Sequence, residues 1–477
     1  MRSRQRFNFV VFLLTAVALT LFVALVLSPR ATGRNVPVTY RLYGDAGARV
    51  AASQQHRLKL QHDIPPPPPP LYLRAQSALR DACDNPYADD GFLFFPSDDD
   101  LTMTQWVPYS AVVDNDGELV GEIDDPDPVD EDGTRYFPDG PLLDGIRAAS
   151  PHNWLRDLMD LRAAVESGMV EDPIYDDVLT RTKWVRDKTV LVIGDSVDRY
   201  LTAFLCRDNL GGINRDQFGY QTTQECHVPW LNFTIIAWHT TSMIEARPKW
   251  WWIKSMKTVV WEERWEEYFE RSMTRNVTTA DGGVTYYRIP FDLVIFQSGL
   301  WDLSAFVTSR RDRLRHGLPE TEQESVKLNF RRALNYRELR FYLNRLSHIL
   351  SFVQSELPNA PMLCRTISQR SLGNENTMTT QLARAQAYVC KKHNLEMMPF
   401  EETTAGVFGA GKLYLDTVHY KNGPLSALYS NMILSYLFRA AGGVEVKGKI
   451  VRNPTALDNP KLAWDRCHQH FMQQYYI

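Results

Sequence analysis

The sequence predicts an α/β protein built on a central, parallel sheet with helices on both faces, and three observations carry that expectation. Short, continuous apolar runs at Thr189–Ile193, Phe233–Trp238, Asp292–Phe296, Met362–Ile367 and Leu395–Phe400 have the β-branched character of strands buried on both sides. Helical patterns separate several of these runs, most clearly at 322–355 and 379–392. Strands alternating with helices imply crossover connections and hence parallel pairing. No internal repeat competes with this reading.

In chain order, Asn153 to Gly168 reads as a helix with Trp154, Leu155, Leu158, Met159 and Leu161 on its apolar stripe. A further apolar helical pattern runs from Leu425 to Leu437. These elements assign 151–477 to one α/β domain. Upstream, 76–150 is acidic and turn-rich, with Asp98, Asp99 and Asp100 followed by Asp124, Asp125, Asp127, Asp130, Glu131 and Asp132. No spacing there matches an EF-hand loop, so a solvated loop region is expected. Segment 29–75 reads as a stem that ends in the stiff run Pro65–Pro70.

The first residues predict a location. Arg2, Arg4 and Arg6 precede an uncharged stretch from Phe7 to Leu27, and about 20 apolar residues suffice to span a bilayer as a helix. A signal peptide core is shorter, about 7–15 residues, so 7–28 is expected to be an uncleaved signal-anchor. The arginines keep residues 1–6 cytosolic. The expected topology is single-pass type II, in the Golgi or another secretory compartment, with the body lumenal. Asn232-Phe233-Thr234 and Asn276-Val277-Thr278 fit the N-glycosylation pattern. Six cysteines, none in a C-x-x-C pair, suit an oxidising lumen. Their connectivity stays open; Cys206 with Cys226 and Cys364 with Cys390 are the local candidates.

At 477 residues with 44% apolar and 23% charged residues, the chain has material for a large core. A net charge of -4 and no lysine-rich tract give no reason to expect a nucleic-acid partner. Cys467-His468-Gln469-His470 has no second cluster at zinc spacing, so no metal is expected. The glycines from Gly406 to Gly411 precede no strand–helix phosphate loop. Trp250, Trp251, Trp252, Trp261 and Trp265 suit either sugar stacking or core packing.

Three blocks carry chemistry. The first core strand ends in Gly194-Asp195-Ser196. Functional groups collect at the carboxyl ends of parallel strands, and a serine opening the next helix has backbone N–H groups beside it that can hold an oxyanion. Leu415-Asp416-Thr417-Val418-His419-Tyr420 supplies a histidine to take the hydroxyl proton and a carboxylate to fix its tautomer. Between them, Phe291 to Asp302 reads as a strand followed by a glycine loop, where a second oxyanion donor would sit.

Together these blocks resemble the SGNH/GDSL hydrolase superfamily, and within it the PC-esterase branch of trichome-birefringence-like and sialate O-acetyltransferase-like proteins. The matching residues are Gly194-Asp195-Ser196, Arg199, Leu205-Cys206, the block Gln297-Ser298-Gly299-Leu300-Trp301, and Asp416 with His419. Gln297 stands where the family has asparagine, the cysteines flanking the plant Asp-x-x-His motif are absent, and Gly211 and Gly212 are the candidates for the second-block glycine. The resemblance implies an SGNH-like three-layer fold over roughly 185–440. It also implies Ser196, His419 and Asp416 as catalytic residues, with Gly194, Asp195, Arg199, Gln297, Gly299 and Trp301 around the oxyanion and substrate. The activity implied is O-acyl, chiefly O-acetyl, transfer to or removal from a glycan. No bound cofactor is implied; the acyl donor would be acetyl-CoA or an acylated intermediate, with a donor transporter as partner. A catalytically inactive glycan-binding or scaffolding membrane protein is the alternative that the sequence leaves open.

Overall fold

The computed structural model describes residues 85, 87–94, 101–111, 150–169, 183–217, 223–244, 260–279, 282–315, 333–368, 376–404, 413–416, 418–441, 443–446, 449–452 and 464. The chain divides into Met1–Pro65 and Pro66–Ile477, and every described residue lies in the second unit. The expected signal-anchor at 7–28, all of the stem at 29–75 and most of the acidic region at 76–150 therefore lie outside the described residues. Among those described, no helix is long and apolar enough to cross a membrane.

Two short strands, β1 (Gly91–Phe94) and β2 (Gln105–Pro108), pair as an antiparallel ribbon that precedes the main sheet in sequence. The main sheet uses seven strands: β3 (Thr189–Gly194), β4 (Ile213–Gln217), β5 (Thr223–Val228), β6 (Phe233–His239), β9 (Leu293–Phe296), β10 (Met362–Arg365) and β11 (Glu396–Met398). Between β6 and β9 the chain makes a separate hairpin, β7 (Thr274–Thr278) and β8 (Val284–Arg288). The sheet order is β11-β10-β9-β3-β6-β5-β4. Strands β11, β10, β9, β3 and β6 run parallel, as the apolar runs that contain them predict. Residues 190–194 of β3 and every residue of β9 and β10 are buried.

Strands β4 and β5 correct the expectation of an all-parallel sheet, since β5 pairs antiparallel with both β6 and β4. Only residues 218–222 separate β4 from β5, and 229–232 separate β5 from β6. A parallel return needs a crossover of about a dozen residues, so these short links dictate hairpins. Their polar sequences hid them from a search for apolar runs.

Helices Trp154–Glu166, Ser196–Ala203 and Pro424–Ala440 pack together. A segmented helix, Trp261–Arg264, Trp265–Phe269 and Glu270–Met273, lies against the other face of β6. There Trp238 meets Trp261, Trp265 and Phe269 edge-on at 5.2–5.5 Å. Trp261 and Trp265 are thus core residues rather than a sugar platform. Helix Tyr336–Glu356 adds Phe352 to this cluster and begins at a capping box between Asn335 and Glu338. Helix Asn376–Lys392 packs on it. Disulfides Cys206–Cys226 and Cys364–Cys390, the two sequence-local pairs, tie helical segments to β5 and β10 respectively.

Candidate active site

The turn after β3 is shaped by a single carboxylate. A Cβ at Gly194 would lie 2.1 Å from Asp198 Oδ2, so no side chain fits there. Asp195 is the N-cap of the helix that Ser196 opens: its Oδ1 accepts the Val197 N–H at 2.8 Å. Asp198 Oδ2 in return accepts the Asp195 N–H at 3.2 Å, completing a capping box. Ser196 is thereby the first helical residue, at a position whose backbone N–H has no acceptor within its own helix.

His419 meets this serine from the other end of the sequence. Its Nε2 lies 2.7 Å from Ser196 Oγ, and its Nδ1 lies 2.7 Å from Asp416 Oδ2. Asp416 Oδ1 accepts the backbone N–H groups of Val418 at 2.7 Å and His419 at 2.9 Å, which makes the Asp416–His419 segment a self-braced turn. Antiparallel bridging of Tyr414 with Tyr420 closes its base. Tyr200, on the Ser196 helix, places its ring 4.8 Å from the imidazole. With the Asp416 carboxylate accepting from Nδ1–H, Nε2 is left as the acceptor for the serine hydroxyl, an assignment made from the hydrogen-bond network. Burial is the largest single influence on the Asp416 carboxyl and pushes it up. The hydrogen bonds from the His419 ring and the two backbone N–H groups outweigh it, holding the group below its ordinary value and ionised. Chemically, the arrangement lets the ring take a proton from Ser196 while the resulting cation faces a carboxylate.

A buried network supports the nucleophile turn. Arg365, at the end of β10, binds Asp198 through two bonds of 2.6 and 2.9 Å, and Tyr429 of helix Pro424–Ala440 donates to Asp198 Oδ1 at 2.9 Å. Burial opposes the Arg365 charge, but the Asp198 carboxylate beside it raises the guanidinium pKa above its ordinary value. Burial and the Asp198 charge also push the Asp195 carboxyl up to about 6, against the pull of Arg365, the Val197 N–H and His419.

The remaining sequence-predicted residues gather at the carboxyl ends of β3 and β9. Gln297 is buried, and its Nε2 is directed to Asp195 Oδ2 at 3.4 Å. Its Oε1 has no hydrogen-bond partner among the described residues. A Cβ at Gly299 would lie 2.6 Å from the Ile367 side chain, so this position too must stay bare. Arg199 is half-buried and lies 5.3 Å from the Tyr200 ring centre. Trp301 is half-buried, and helix Leu300–Arg315 starts beside it where the sequence suggested only a loop. Gly211 and Gly212 do not join the site. A side chain at the first would meet Arg162, and one at the second would meet the Cys206–Cys226 sulfurs.

Two residues that sequence reasoning missed complete the surroundings. Asp302 accepts from Ser242 Oγ (2.9 Å), Met243 N–H (2.8 Å) and Ser298 Oγ (3.0 Å), fastening the segments after β6 and β9 to each other. Burial pushes its carboxyl up to about 6 despite those bonds. His239 ends β6 beside Gly194. His239 belongs to a strand end and Asp302 to the first turn of the helix that follows β9, both at the edge where a parallel sheet places its chemistry, and that was the available signal. Both glycosylation candidates are exposed, Asn276 on the β7–β8 hairpin. Asn232 sits in a left-handed turn (φ 49°) with its Nδ2 donating to Asp187 Oδ1 at 2.7 Å.

No protein-family model and no curated protein matches the chain. Among solved structures, a protein described as a GDSL-like lipase from Parabacteroides merdae is 13% identical, with a TM-score of 0.28 over 53% of this chain and 97% of that one. An acetyl-xylooligosaccharide esterase from Geobacillus is 14% identical, with a TM-score of 0.27 over 53% of this chain and 93% of that one.

Proposed function

We propose that this chain is a serine acyl-enzyme that removes or transfers an O-acyl group. The observation that carries the reading is the 2.7 Å contact between Ser196 Oγ and His419 Nε2, with Asp416 bound to the opposite ring nitrogen. Ser196 attacks the acyl carbonyl as His419 takes its proton, and Asp416 stabilises the imidazolium. The Ser196 N–H, with Gln297 or the Gly299 N–H, holds the oxyanion. Collapse of the tetrahedral species returns the proton to the leaving oxygen. Water or a sugar hydroxyl, deprotonated by His419, then attacks the acyl-serine carbonyl and releases Ser196.

The motif resemblance to the PC-esterase branch supports acetyl as the acyl group and a glycan as acceptor, with acetyl-CoA or an acylated intermediate as donor. Arg2, Arg4, Arg6 and the Phe7–Leu27 run support a type II anchor with the body in the secretory lumen. That placement separates the site from cytosolic acetyl-CoA and calls for a donor transporter as partner.

A fluorophosphonate probe should label the wild-type protein and not Ser196→Ala. Ser196→Ala and His419→Ala should each lower kcat by about 10⁴-fold or more, and the double variant should be little worse, because groups acting as one unit are not additive. Two defects that multiply would show independent roles and sink the reading. Supplying an acyl donor with and without oligosaccharides, and following free acid against acylated sugar, separates transferase from esterase.

A further inference from the structure

His239 is 2% exposed, and neither of its ring nitrogens has a hydrogen-bond partner among the described residues. Buried polar groups in folded proteins are almost always paired, so one that is not calls for an explanation. Its place in the sheet offers one. Gly194 is paired with His239 on β6, and the Gln297 N–H donates to Ile193 O at 2.7 Å on the β9 side. His239 and Gln297 therefore flank the Gly194-Asp195-Ser196 turn at the same level of the sheet. Thr240 locks this level, donating to Gly194 O from both its N–H (2.6 Å) and its hydroxyl (3.0 Å).

Strand alternation sets the direction of the ring. Trp238 packs on the segmented helix, so His239 points to the opposite face, which the Ser196 helix covers. In keeping with this, Arg199 and His419 are among the groups whose charges bear on His239, and the Trp301 ring lies 6.4 Å away; Arg264 acts from the segmented helix, where it donates to the His239 backbone O at 3.0 Å. Burial first, and then those three neighbours, hold the imidazole well below its ordinary pKa. At neutral pH it is an uncharged ring with one N–H donor and one acceptor.

We propose that His239 is a substrate-contacting residue of the Ser196 site, donating a hydrogen bond to the carbonyl oxygen of the acyl group that reacts there. The proposal rests on the acyl-enzyme reading above. An enclosed ring can be reached only by a small group, which favours a short acyl oxygen over a sugar. Cationic surroundings favour an oxygen that gains negative charge as the serine attacks. Gln297, which the motif suggests as side-chain donor, directs its Nε2 to Asp195, and His239 provides a donor on the other side of the turn.

The test compares full-length wild type, His239→Phe, His239→Gln and Ser196→Ala on p-nitrophenyl acetate, with thermal melts of each. Phenylalanine fills similar space and removes both buried nitrogens, so its melting temperature should hold or rise. Its kcat should fall about 100-fold with KM nearly unchanged, as for loss of an oxyanion donor. Glutamine keeps an N–H and should restore part of kcat. Wild-type turnover by the phenylalanine variant overturns the proposal while leaving the acyl-enzyme reading intact. Wild-type turnover by Ser196→Ala overturns both. If phenylalanine does not fold, His239→Leu takes its place. If neither apolar variant folds and glutamine does, the ring serves the fold and the proposal fails.

Discussion

At the scale of single residues, the site is organised by carboxylates in contrasting surroundings. Asp416 is half exposed, held by a ring N–H and two backbone N–H groups, and stays ionised. Asp302 also receives three hydrogen bonds but is fully enclosed, and burial wins. Its carboxyl titrates at about 6 in the folded chain against 3.8 ordinarily. Between those values the native state holds a proton that the unfolded chain has released, so the contribution of Asp302 to stability falls as pH rises. For one proton the slope is at most about 1.4 kcal/mol per pH unit. Below about pH 4 both states are protonated, and above about pH 6 both are ionised, so the effect is confined to that window. Asp302→Asn does not titrate. The difference in urea-unfolding free energy between wild type and variant should therefore decline from about pH 4 to 6 and be flat outside. A difference independent of pH would show that burial does not control this carboxyl. Residues of this kind were not legible in the sequence. Ser196, Asp416 and His419 announced themselves through local motifs, whereas Asp302, Arg365 and His239 acquire their character from burial and from partners far away in sequence.

At the scale of elements, the nucleophile turn belongs to three pieces of structure at once. Arg365 comes from β10, Asp198 from the Ser196 helix and Tyr429 from helix Pro424–Ala440. Arg365→Met should leave Asp198 buried without its cation, which costs about 3–5 kcal/mol, while replacing both partners is far less harmful. The double variant Asp198→Asn/Arg365→Met should thus recover part of the loss, because the two sites are directly coupled. Equal unfolding midpoints for the single and double variants would mean that the ion pair does not hold these elements together. The parallel strands were readable in the sequence because burial on both faces demands unbroken apolar runs. Strands β4 and β5 were not, being polar. Helix Leu300–Arg315 was hidden differently. Its buried positions Leu300, Leu303, Ala305 and Phe306 are followed by charged residues that break the apolar stripe, and a glycine just before it suggested a loop.

At the scale of the whole molecule, the described domain carries covalent cross-links suited to the lumenal placement proposed above. Cys206–Cys226 and Cys364–Cys390 bridge separations of 20 and 26 residues. Each is worth about 2–4 kcal/mol by restraining the unfolded chain, and such bonds persist mainly in oxidising compartments. A body made in the secretory lumen should also meet the glycosylation machinery. Of the two acceptor triplets, Asn276 and Thr278 are both exposed on the β7–β8 hairpin. At the other, Asn232 is bonded to Asp187, and the Thr234 hydroxyl lies 3.0 Å from His227 Nδ1. The mature protein should therefore carry its glycan on Asn276. In sealed microsomes the body should resist protease, glycosidase should increase its gel mobility, and Asn276→Gln should abolish that increase. Retention of the full shift by Asn276→Gln, with its loss in Asn232→Gln, would reverse the site assignment. Digestion of the body without detergent would remove the lumenal placement and the need for a donor transporter.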